Sequence, residues 1–149
     1  MQLATRFSVA LQRFALGALV LSLCGCVTAT ITPEHPSQVP AERLFEMPTA
    51  RSDSPARITV VRDVGRIGSA VYVHVSIDGK EVAALNPGES FEADLDAGQH
   101  LLSAIPTDVF GVEKPVVLDV QLHPKQALLY RIGFQPSGPM VFYRDLPRP

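Results

Sequence analysis

From residue 56 onward the chain alternates apolar and polar positions with a period of two. Val71, Val73, Val75 and Ile77 interleave with Tyr72, His74, Ser76 and Asp78. Successive Cβ atoms of a strand point to opposite sides, so the first set shares one face. Asp78-Gly79 follows at once, a pair suited to the positive φ of a two-residue hairpin turn, and Glu81 to Leu85 reads as the return strand. Asn86-Pro87-Gly88 is a second turn, Ser90 to Leu95 a strand, Asp96-Ala97-Gly98 a third turn, and His100 to Ile105 runs back. Farther on, Val116, Leu118, Val120 and Leu122 alternate with Val117, Asp119, Gln121 and His123. The turn His123-Pro124-Lys125-Gln126 then leads into Leu128 to Ile132. Arg57 to Arg62 precede these strands and Met140 to Tyr143 follow them. Together they make about seven or eight strands with turns roughly every 8 to 12 residues, which predicts an all-β chain folded as a small antiparallel β-sandwich over residues 56–145.

The pattern is absent before residue 56. Residues 27–55 are rich in Thr, Pro, Ser and Ala, with four prolines from Pro33 to Pro48. They oppose both helix and central strand, leaving only a turn of helix over Ala41 to Met47. This stretch reads as a flexible tether, and residues 26–55 extended at about 3.1 Å per residue would reach on the order of 80 Å. The first 25 residues have the layout of a secretory signal: a basic start with Arg6 and Arg13, an apolar run from Phe14 to Leu23, then small residues and cysteine. At about ten residues the apolar run is half of the roughly 20 that a spanning helix needs.

Both cysteines fall at the end of that run, in Leu23-Cys24-Gly25-Cys26. A disulfide between them would close a very tight ring, and a closed metal site needs about four ligands where the histidines stand far off in sequence. The peptide resembles a bacterial lipobox, with leucine three places before the modified cysteine and a small residue just before it. The resemblance implies that Cys26 is lipidated and becomes the first residue of the mature chain, while Cys24 leaves with the signal peptide. It also implies sorting to the outer membrane, because Val27 stands where an inner-membrane lipoprotein commonly carries aspartate. Two or three acyl chains, at about 0.8 kcal/mol per buried CH₂, make such an anchor stable.

With 149 residues, 46% hydrophobic and 19% charged, and a net charge of -2, the chain holds one ordinary domain and carries no basic footprint for nucleic acid. No nucleophile elbow, zinc-protease helix or phosphate loop is present. His74 and His123 fall on polar strand faces, His35 in the tether, and His100 beside a turn, where bonding to local backbone is the simplest role. A triad drawing on Ser76 or Ser103 would need partners that sequence spacing does not supply. Glu89, Glu92, Asp94 and Asp96 form the densest acidic patch, read as a solvated face that keeps a sheet edge from pairing, with weak calcium binding as the alternative. No catalytic residue, cofactor, metal ligand or small-molecule substrate is expected. The apolar residues Phe110 and Val112 of one connection, with Phe142 and Tyr143 of the tail, are the candidate contact for a protein partner, since aromatics anchor interfaces.

Val75 to Gly88, with Asp-Gly-Lys ending one strand, and Asp96-Ala97-Gly98-Gln99-His100 resemble the bacterial lipoprotein family DUF2846 and, more loosely, PEGA-type β-domains. Ala97 stands where those domains commonly carry proline. The resemblance covers roughly residues 56 to 145 and implies a β-sandwich, immunoglobulin- or transthyretin-like, in the cell envelope; it brings no catalytic residues with it. The expected function is an outer-membrane-anchored lipoprotein, its domain in the periplasm, that binds or scaffolds another envelope component without catalysis. The alternatives are a lipoprotein of a secretion machine and a hydrolase of envelope polymers.

Overall fold

The computed structural model describes residues 35–107 and 114–146. Nine strands appear: β1 Ser37–Gln38, β2 Ala56–Arg62, β3 Val73–Ile77, β4 Lys80–Leu85, β5 Glu89–Leu95, β6 Gly98–Pro106, β7 Val116–Leu122, β8 Ala127–Phe134 and β9 Met140–Asp145. They form a five-stranded sheet in the order β1-β5-β2-β8-β9 and a four-stranded sheet in the order β4-β3-β6-β7. The chain is all-β, in two layers consistent with a sandwich. The predicted turns are present. Asp78 and Gly79 both take positive φ, 51° and 81°, as a type I′ hairpin requires. Gly88 sits at φ 85° behind Pro87, with the Glu89 amide donating to the Asn86 carbonyl.

The apolar parity of each strand faces inward. Ala56, Ile58 and Val60 of β2, Phe91, Ala93 and Leu95 of β5, and Leu128, Tyr130 and Ile132 of β8 meet Val73, Val75, Ile77, Leu102, Ala104, Val120 and Leu122 of the other sheet. Phe142 of β9 packs edge-on against Tyr130, ring centroids 6.1 Å apart.

Two expectations are corrected. The five-stranded sheet is mixed: β2 runs parallel to β8, and β1 parallel to β5. Period-two alternation is blind to strand direction, because the inward parity is the same either way. The tight turn after β7 delivers the chain to the pole where β2 also begins: the Lys125 amide donates to the Pro55 carbonyl and the Arg57 amide to the Gln126 carbonyl. β8 therefore sets off alongside β2.

The tether is likewise not free from residue 37 onward. Ser37–Gln38 pairs with β5, Val39 is buried, Leu44 bridges Ala83, and the Phe45 amide donates to the Val82 carbonyl. Leu44 and Met47 pack on the core. The Arg51 and Ser52 amides then converge on one oxygen of Asp96, at 2.9 and 2.8 Å. Residues 37–52 are thus a strap from β5 across to β4. Its prolines exclude a central strand but permit an edge, and its three core-packed side chains, Val39 buried and Leu44 and Met47 partly so, are too irregularly spaced to register as a period.

β2 and β8 end at the pole where the strap begins, and β4 hands over to β5 there through Asn86-Pro87-Gly88. The loop 63–72 and the turn 135–139 lie at this entry pole. The turns at 78–79, 96–97 and 123–126 lie at the opposite, far pole.

Candidate functional site

Three polar clusters are built into the sandwich. The first plugs the entry pole. Arg62 falls on the inward parity of Ile58 and Val60 and is buried. Its guanidinium donates to the carbonyls of Gly68, Val71 and Leu85 at 2.5, 2.6 and 2.5 Å and lies over the Phe134 ring, 5.6 Å from the centroid. Burial lowers its pKa to about 10, a shift that the negative charge of Glu89 opposes. Gly68 is needed for this closure: at φ +72° a Cβ there would come within 2.6 Å of the Phe134 ring. Beside it, Arg43 of the strap grips Glu89 through both guanidinium ends at 2.5 Å, donates to the Ala84 carbonyl, and covers the Tyr72 ring at 5.2 Å. Burial pushes the Glu89 carboxyl up, but Arg43, the Asn86 amide and Arg62 together hold it below the usual range.

The second cluster lies on the outer face of the five-stranded sheet beside β9. Arg131 donates to Asp63, both buried, and reaches Asp145 at 3.5 Å. Gly133 leaves room for the Asp63 carboxylate, since a Cβ would stand 3.1 Å from its oxygen. Tyr143, opposite Arg131 in the β8–β9 register, is exposed. Burial, reinforced by Asp63, raises its phenol pKa.

The third cluster joins the far-pole turns. His100 Nδ1 lies 2.7 Å from Asp78, and Nε2 2.9 Å from the Asp96 carbonyl. The second Asp78 oxygen accepts the Leu101 amide at 2.8 Å. Burial alone would lower the His100 pKa, but Asp78 and the Asp96 carbonyl outweigh it and raise it. Asp78 is held low by the Leu101 amide and His100 against the opposing pull of burial. Both ring nitrogens face acceptors, so the imidazolium is the form that satisfies both at once. The raised histidine stabilises the fold fully below its unfolded value near 6.5 and loses that contribution as pH rises through its folded pKa; the lowered aspartate contributes above about 3.9 and loses it as pH falls through its own folded value. His100→Gln is therefore expected to lower Tm most between about pH 4 and 6.5. A deficit unchanged up to pH 9 would contradict the pairing.

The acidic residues of β5 and of the turn that follows it do not converge. Glu89 belongs to Arg43, Glu92 and Asp94 flank Arg57, and Asp96 caps the strap. β5 is also no edge, because β1 covers it. Among the described residues no group of three His, Cys, Asp or Glu side chains could hold a metal ion. Ser76 and Ser103 face each other on the outer face of the four-stranded sheet, while His74 Nδ1 bonds Glu81 at 2.5 Å. A groove of about 500 Å³ lies between strap residues Glu46 to Arg51 and Ile77, Lys80 and Val82, with a smaller one of about 380 Å³ across the strap. Neither brings a histidine beside a hydroxyl.

Of the residues expected to contact a partner, Phe110 and Val112 lie outside the described residues, as does Cys26, the expected lipidation site. Phe142 is corrected to a core residue, 4% exposed, because its parity in β9 points inward; Tyr143, one residue on, is 40% exposed. The sequence reading missed Arg62 and Arg131. The signal for Arg62 was present, since it continues the inward parity of Ile58 and Val60.

The two lateral sides of the sandwich differ. The strap crosses the side formed by β5 and β4. On the other side β7 and β9 end their sheets, and among the described residues no strand pairs with their outer edges. A scan against protein-family models gives no match, and a search of curated proteins likewise gives none.

Proposed function

We propose that this chain is a bacterial envelope lipoprotein, anchored by lipid on Cys26 in the outer membrane, whose periplasmic β-sandwich binds another envelope protein along β9 without catalysing a reaction. The lipobox-like peptide behind a basic and apolar start supports the anchor. The observation that carries the binding role is the contrast between the strapped side and the side of β7 and β9, whose outer edges no strand pairs among the described residues. An unpaired edge can accept an extended segment through main-chain hydrogen bonds, with neighbouring side chains adding selectivity. Tyr143 is the anchor in this reading: exposed, aromatic, and backed by the Arg131–Asp63 pair that fixes the sheet beneath it. The polar clusters serve structure, and both ring nitrogens of His100 are already engaged, by Asp78 and the Asp96 carbonyl.

A photo-crosslinking amino acid placed at position 143 of the full chain is expected to capture a discrete protein adduct in intact cells. The same residue at position 53, just past the strap at the far pole, should capture none. Equal adducts at both positions, or none at 143, would overturn the edge as the binding site.

A further inference from the structure

The strap has a geometric consequence for a protein held by its N-terminus, an inference that rests on lipid attachment at Cys26. Among the described residues the first strand begins at Ser37, whose amide donates to the Gly88 carbonyl at 3.0 Å. Only residues 27–36 then separate the anchor from the sandwich. Even fully extended, ten residues span at most about 35 Å. The nine residues of β6, at about 3.4 Å each, make the sandwich about 30 Å tall. Turning the far pole to the bilayer would stretch the link along nearly the whole height of the domain, with heavy loss of chain entropy. Entering pole-first requires no such extension.

We propose that the sandwich stands on the bilayer by its entry pole, with the loop 64–72 and the turn 135–139 against the lipid headgroups. Arg66, Ser69, Ala70 and residues 135–139 are exposed there. Neither the loop 64–72 nor the turn 135–139 carries a carboxylate that would repel lipid phosphates, and Arg66 supplies a positive charge there. The strands stand upright in this orientation, so β9 is presented sideways to a neighbour anchored in the same membrane, and the His100 cluster lies farthest from the lipid.

The mature chain has one cysteine, its sulfur engaged in the lipid thioether, so an introduced cysteine is the only free thiol. Ser69→Cys and Ser137→Cys mark the entry pole, and Asp53→Cys and Lys125→Cys the far pole. Each full-length lipidated variant is labelled with bimane and reconstituted into phosphatidylethanolamine–phosphatidylglycerol vesicles containing headgroup spin-labelled lipid. Quenching several-fold stronger at positions 69 and 137 than at 53 and 125 is expected. Equal quenching, stronger quenching at the far pole, or none anywhere in protein that floats with the vesicles would overturn the orientation and leave the anchor standing. Protein that does not float would overturn both.

Discussion

Arg62→Met is expected to cost about 3–5 kcal/mol of unfolding free energy, although methionine fills much the same apolar volume. The guanidinium satisfies three carbonyls at the entry pole, from Gly68, Val71 and Leu85. Each buried acceptor stripped of its donor costs about 1–3 kcal/mol. Relief of the guanidinium's desolvation offsets part of that loss, so the total stays below the sum of the three. Arg62→Lys should recover only part of it, since a compact ammonium cannot fork toward three carbonyls on separate segments. Urea unfolding checks both variants. A methionine variant within about 1 kcal/mol of the parent would show that loop 63–72 closes the pole without the arginine.

Phe142→Ala and Tyr143→Ala, one residue apart, should separate sharply. Phe142 is buried against Tyr130, and removing such a ring costs about 3–5 kcal/mol. Tyr143 stands on the opposite face of β9 and is 40% exposed, so its loss should cost within about 1 kcal/mol. The expected partition is that Phe142→Ala lowers stability whether or not a partner is present, while Tyr143→Ala leaves the fold intact and weakens capture of the partner. Similar destabilisation by both would contradict the inward and outward assignment of β9.

Strand positions after residue 56 were legible because burial on one sheet face imposes alternation, and turns such as Asp78-Gly79 punctuate it. What alternation could not express was direction: β2 and β8 look the same parallel or antiparallel. The strap was illegible for a different reason. Val39, Leu44 and Met47 each enter the core from irregular backbone, so no period connects them, and the prolines around them suggest a linker. The acidic patch misled because the spacing of Glu89, Glu92, Asp94 and Asp96 shows proximity along β5 and not the partners Arg43, Arg57, Arg51 and Ser52 that come from elsewhere. Arg62 was readable in principle, as a charge on an apolar parity; Arg131 was not, because its burial on an outward face depends on Asp63 and Gly133.

The central claim is a lipid-anchored sandwich, and metabolic labelling with radioactive palmitate tests it most directly. The parent chain and Cys24→Ser should both take up label and sediment with membranes, while Cys26→Ser should take up none. Label that survives Cys26→Ser, or a parent chain that takes up none, would contradict the account.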